Sequence, residues 1–230
     1  DKSNKKEYED VTEVLNYVSI DETRSCINDH IITSLNMNTN NDFTDDFIIL
    51  CYFLGNDFIP NVPSIEIKND GIDFLLDQYV ATYSKLKTGF INKSNNEVSI
   101  NMNFFAMYIN NLAKYEDYYF KVKFPNYFDR IFKRQCQSQD PYEVEIWNLE
   151  NMKTFNINDP ILLGLDEPSL WKFRFYEYYY GVTQYQSEHI NQMCHNYIEG
   201  IIWTLKYYFQ KCESFQWFYG YYHAPFASDL

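Results

Sequence analysis

Residues Phe47 to Leu54 form an unbroken apolar run, entered through Thr44-Asp45-Asp46 and closed by Gly55-Asn56-Asp57. Thr and Asp before such a run are helix-start signals, because their side chains take backbone N–H groups that the first turn leaves unpaired. A glycine just past the run is a stop signal. A helix that is apolar on every side has to be surrounded by protein. The run therefore commits the chain to a fold that wraps one short helix in other elements. It is far too short to span a bilayer, so no membrane partner is expected, and no leader pattern is read.

Composition supports folding. Hydrophobic residues are 46% and aromatics 20%, with 22 Tyr and 19 Phe, and disorder requires low hydrophobicity. A length of 230 residues suffices for an ordinary domain with a sizeable core. The net charge of −13 is the wrong sign for a free-standing nucleic-acid binder, whose affinity comes from Lys and Arg neutralising phosphates. If RNA is handled, the basic surface lies elsewhere or metal ions bring the positive charge. Cys26, Cys51, Cys136, Cys194 and Cys212 are scattered and odd in number, which favours free thiols in a reducing compartment. Cys194 and His195 are adjacent with no second pair to make a zinc site. A chain that opens on Asp1 reads as part of something longer. Asn92-Lys93-Ser94 matches a glycosylation triplet that chance supplies in so Asn-rich a sequence.

Periodicity predicts helices over Thr23–Leu35, Ile72–Tyr83, Phe104–Tyr118 and Ser187–Lys211, besides the apolar run. Pro168 and Gly181 bracket a further one. Residues 87–99 read as a polar loop with room for a short strand. Residues 121–165 read as irregular, with Val144–Trp147 as the strand candidate. The tail from Phe215 to Leu230 reads as aromatic and irregular. The expected class is mainly α with a few short strands.

Two segments carry a family resemblance. The first runs from Asp45 through Gly55-Asn56-Asp57-Phe58-Ile59-Pro60 and Val62-Pro63-Ser64-Ile65 to Gly71-Ile72-Asp73-Phe74-Leu75. The second runs from Tyr197-Ile198-Glu199-Gly200-Ile201-Ile202-Trp203 to Ser214-Phe215-Gln216-Trp217-Phe218-Tyr219 and Ala224-Pro225-Phe226-Ala227-Ser228-Asp229. Both resemble the XRN family of 5′→3′ exoribonucleases. There a buried helix ends in Gly-Asn-Asp-Phe-Leu-Pro, and a later Tyr-Ile-Glu-Gly-Leu-x-Trp helix leads into Ser-Trp-x-Trp-Tyr-Tyr-Pro. The likeness covers most of the chain from about Leu15. Phe215 replaces the usual first Trp, Gly220 stands where Pro is usual, and Tyr222-His223 reverses the usual order.

The resemblance implies the helical part of an XRN and flap-endonuclease-like α/β nuclease core. Residues 1–62 would end the nuclease core, including the Gly-Asn-Asp turn, and 63–230 would form the helical domain, as one continuous structural unit. It implies hydrolysis of single-stranded RNA with a 5′ monophosphate, processively, to nucleoside 5′-monophosphates by two-metal catalysis. The cofactor would be Mg2+ or Mn2+. The partners would be the RNA, the N-terminal half of the nuclease core and RNA-decay factors. The location would be the cytoplasm, with the nucleus as the alternative. The segment alone is expected to be inactive. The alternative is a catalytically inactive XRN-like scaffold or protein-interaction module, in line with the acidic charge and altered tail; an unrelated helical interaction domain is a third reading.

Two metal ions that clamp an in-line displacement need several carboxylates, and in the family most come from the N-terminal half. Here the resemblance maps one, Asp57, as the catalytic metal ligand; by itself Gly55-Asn56-Asp57 also reads as a plain helix stop. Asp46 lies eleven positions before Asp57, about 16 Å away along a helix, so the two cannot share an ion. Asp45 and Asp46 read instead as favourable charges at a helix start. Trp217, with Phe215 and His223, is the candidate RNA contact, since rings stack on bases without needing sequence; the other reading is core packing. Glu199, on an apolar helix face, is expected to be buried and paired with Arg or Lys. Lys121, Lys123, Arg130, Lys133 and Arg134 form the basic cluster, either a solvated face or a backbone-tracking patch.

Overall fold

The computed structural model describes residues 16–94, 97–127, 135–155, 159–184 and 188–230, the last four residues of 135–155 by their backbone alone. The chain divides into two compact units, Asp1–Thr44 and Asp45–Leu230. In the first, helix α1 (Ile20–Ser34) starts where the Ser19 hydroxyl accepts from Glu22 N at 3.2 Å. Asn28 of α1 holds the loop behind it: its Oδ1 accepts from Phe43 N at 2.7 Å, and its Nδ2 donates to Asp42 at 3.0 Å.

The second unit is built on α2 (Thr44–Tyr52), α3 (Gly71–Leu86), the hairpin β1 (Ile91–Ser94) and β2 (Glu97–Ile100), and α4 (Met102–Tyr118). The hairpin is antiparallel, with Ile91 opposite Ile100 and Ser94 opposite Glu97. A single π-helical turn, Tyr119–Lys123, follows α4. Then come α5 (Pro141–Phe155), α6 (Pro168–Tyr180) and α7 (Glu188–Phe209), and a tail without regular structure. The chain is mainly α, as expected, with two short strands among the described residues.

The apolar run behaves as its composition demands. Ile49, Leu50, Tyr52 and Phe53 are buried and Phe47, Ile48, Cys51 and Leu54 half-buried, so none of them is open to solvent. Phe53 packs on Tyr108 at 5.6 Å, and Phe90 packs on Phe104 at 4.6 Å, centroid to centroid. A second ring cluster gathers Phe120, Trp171, Phe175 and Tyr176 around Phe226 of the tail, at 4.7 to 5.8 Å. Ring pairs of this kind add about 0.5–1.5 kcal/mol beyond the area they bury. The 20% aromatic content is thus largely core material.

One element departs from expectation. Val144–Trp147 is not a strand but lies inside α5, so the stretch 121–165 is less irregular than the sequence suggests. Pro141 stands at the first helical position, and Asp140 Oδ1 accepts from Tyr142 N at 2.8 Å, capping the turn. Val144, Trp147 and Asn151 are the half-buried positions, a helical spacing of three and four. Four residues with strand-favouring Val, Ile and Trp cannot outweigh an Asp-Pro helix start. Elsewhere Pro168 and Gly181 bracket α6 as expected, with Gly181 at φ +64° closing it.

Candidate functional site: the Asp57 turn and its aromatic ledge

At the start of α2, Asp45 and Asp46 lie in the first turn as expected. Asp46 does more than that position suggests. Its Oδ2 accepts from Tyr79 OH of α3 at 2.5 Å and from Phe90 N at 3.1 Å, and burial pushes its carboxyl up from the ordinary range. Gly89 is confined by it, since a Cβ there would lie 1.9 Å from Asp46 Oδ2. Asp45 pairs with Lys93 of the hairpin. Both aspartates therefore tie the helix to its neighbours, and neither points to the far end where Asp57 lies.

At that far end the last turn tightens: Phe53, Leu54 and Gly55 donate to the carbonyls three residues back at 3.0–3.1 Å. Gly55 has φ +88°, and a Cβ on it would sit 2.8 Å from Asn61 N, so the turn requires glycine on both counts. Asn56 Oδ1 then accepts from Phe58 N at 2.8 Å and Ile59 N at 3.0 Å. Ile59 and Val62 are buried, and Val62 N returns to Phe53 O at 3.0 Å. Asp57 rides the tip of this fixed loop with its side chain exposed. The turn is thus both the helix stop and a rigid mount for a solvent-facing carboxylate.

Beside Asp57 the structure builds a ledge of rings. Phe58 meets Trp203 edge-on at 5.0 Å and Tyr207 at 5.1 Å. Trp203 stacks on Tyr207 at 5.2 Å and on Trp217 at 5.1 Å. Gly200 of α7 makes room for this: a Cβ would lie 2.7 Å from Ile59 Cγ2 and 2.8 Å from Trp217 Cη2. Tyr197 OH donates to Pro60 O at 3.0 Å, fastening the turn to the same helix. Ile59, two residues beyond Asp57, and Trp217 therefore both pack against one glycine. Sequence reasoning missed Phe58, Trp203 and Tyr207; the available signal was Gly200, a glycine in the interior of a long helix, which marks a close approach.

The other candidates lie apart from that contact. Phe215 and Phe218 are exposed. His223 packs its ring 4.1 Å from Tyr179 and 5.8 Å from Phe175, and burial pushes its imidazole down. Glu199 is exposed rather than buried: it accepts from Asn196 Nδ2 at 3.3 Å and makes no ion pair among the described residues. It lies on the solvent side of α7, where hydration replaces the expected Arg or Lys. In the basic cluster Lys121 pairs with Asp117 at 2.9 Å and Lys123 with Asp70 at 3.5 Å; Arg130, Lys133 and Arg134 lie outside the described residues.

A divalent ion needs several oxygen donors. Among the described residues no three His, Cys, Asp or Glu converge to hold one. Asp57 alone fits one ligand of a site, not a site.

The family model described as the Xrn1 helical domain matches residues 38–158 and 132–230. The chain belongs to this family. A 5'-3' exoribonuclease 2 homolog of Drosophila melanogaster is 30% identical over 81% of this chain, which spans 24% of that relative. The 5'-3' exoribonuclease 2 of Gallus gallus is 25% identical and the 5'-3' exoribonuclease 1 of Homo sapiens 24%, each over 81% of this chain. The chain spans 26% and 12% of these two. It therefore corresponds to a quarter or so, or less, of the relatives it matches. The mainly helical build fits the helical domain of the family.

Proposed function

We propose that this chain is the helical part of a 5′→3′ exoribonuclease that hydrolyses 5′-monophosphorylated single-stranded RNA to nucleoside 5′-monophosphates. In this reading Asp57 is one ligand of a divalent ion, Mg2+ or Mn2+, whose other ligands lie outside this chain. The ledge of Phe58, Trp203 and Trp217 lines part of the RNA channel. The observation that carries the reading is the exposed Asp57 carboxylate on a turn fixed by Gly55 and Asn56, whose next residue, Phe58, packs edge-on against Trp203, itself stacked on Trp217. What this chain's own residues do is hold a carboxylate rigidly and offer ring faces next to it. The N-terminal half of the core is the required partner, and RNA-decay factors are further ones. The five free thiols support a reducing location, the cytoplasm or alternatively the nucleus.

The test is Asp57→Asn in the full-length protein, assayed on 5′-monophosphorylated RNA. Loss of hydrolysis with RNA binding retained is expected; an unchanged rate would remove Asp57 from the chemistry. Trp217→Ala should weaken single-strand binding by about 1–3 kcal/mol for the base whose stack is lost. The net charge of −13 and the pairing of Lys121 and Lys123 favour the scaffold as a second reading. Full-length protein that binds no Mg2+ and degrades no RNA would establish it.

A further inference from the structure

Glu116, in the last turn of α4, is the most deeply buried carboxylate of a three-charge cluster that closes on the tail. Ala227 N donates to its Oε1 at 2.8 Å, and Ser228 N to its Oε2 at 3.2 Å. The Ser228 hydroxyl bonds the same Oε2 and receives a hydrogen bond from Lys172 of α6. Lys172 Nζ lies 3.1 Å from Asp229 Oδ1 but 3.9 Å from Glu116 Oε2. Asp229 Oδ2 accepts from Tyr176 OH at 2.7 Å, and Cys194 of α7 donates its thiol to the Asp229 carbonyl at 3.2 Å. The rings of Trp171 and Phe226 flank the ammonium at 5.9 and 5.7 Å.

Among the ion pairs of the described residues the charges of this cluster do not balance. Side chains only 2%, 7% and 11% exposed for Glu116, Lys172 and Asp229 put two carboxylates against one ammonium, away from water. A buried charge without a full partner takes up or loses a proton rather than stay ionised. The ammonium is committed to Asp229, the nearer carboxylate, so Glu116 carries the excess.

We propose that Glu116, Lys172 and Asp229 form a proton-operated latch on the tail segment 224–230, in which Glu116 holds a proton while the segment is docked. Burial raises the Glu116 carboxyl from the ordinary glutamate range to about 7, with Ser228 and Lys172 opposing and Asp229 assisting. The docked state thus binds the proton more tightly than the unfolded chain. Its stability is greatest near and below the ordinary glutamate range, falls as pH rises towards about 7, and levels off above. The latch loosens on the alkaline side of neutrality.

The experiment compares thermal unfolding of the 230-residue chain between pH 5 and pH 8 with that of Glu116→Gln. Glutamine keeps the shape, can accept from Ala227 N and can donate to the Ser228 hydroxyl, gives up the longer bond from Ser228 N, and cannot titrate. The wild-type midpoint should fall by about 5 °C more than the variant's over this interval. Asp229→Asn removes the nearer carboxylate from the ammonium and from Glu116 and should move the step to lower pH. Should Glu116→Gln fail to fold, infrared spectroscopy of the wild type decides, by a buried protonated carboxyl band that disappears between pH 6 and pH 8. Parallel melting curves, an unmoved step in Asp229→Asn, or no such band would each overturn the latch.

Discussion

Asp57 and Glu116 are both carboxylates, and the structure treats them in opposite ways. Asp57 is exposed at the tip of a loop whose backbone is pinned by Asn56 and Gly55. Glu116 is 2% exposed, and the tail's Ala227 and Ser228 amides and Ser228 hydroxyl all bond to it. Around Asp57 the scaffold is rigid and the charge is left available. Around Glu116 the carboxyl group is consumed in holding the scaffold. An acidic side chain suited to a ligand is the first kind; one that braces a fold is the second.

The contrast breaks most readily at the buried end. Lys172→Met strips the cation from two buried carboxylates, and losing one partner of such a group costs about 3–5 kcal/mol; urea denaturation should show it as a lower midpoint. Asp46→Ala leaves the Tyr79 hydroxyl and Phe90 N–H without their acceptor and should cost about 1–3 kcal/mol in the same assay. Gly200→Ala forces a Cβ against Ile59 and Trp217 and should cost about 1–3 kcal/mol, with a change in tryptophan fluorescence as the ledge shifts. The smallest effect sharpens the comparison: Asp57→Asn should change stability by less than about 0.5 kcal/mol, as a surface substitution does. A large loss there would make Asp57 a brace like Glu116.

The sequence reveals these two ends unequally. The α2 turn is written locally, because Gly55, Asn56 and Asp57 are neighbours and their geometry follows from adjacent residues. The brackets of α6, Pro168 and Gly181, are likewise local signals. The Glu116 cluster joins positions 116, 172 and 229, and nothing near any of them advertises the other two. Glu199 differs for a local reason: its neighbours in sequence are apolar, but the helix turns it outward. Asp46 was legible as a helix-start charge, whereas its hold on Tyr79 and Phe90 was not. In α5 the information is local too, since Asp140-Pro141 starts a helix that runs through the strand candidate Val144–Trp147.

Helix α7 serves both ends from a short stretch of its length. Cys194 reaches the Asp229 carbonyl, Asn196 takes Gly220 N at 3.0 Å, Tyr197 holds Pro60, and Gly200 seats Ile59 and Trp217. Adding or deleting one residue between Cys194 and Gly200 would rotate one set of these contacts by about 100° relative to the other. This stretch should therefore accept substitutions at its exposed positions, His195 and Glu199, but no change of length.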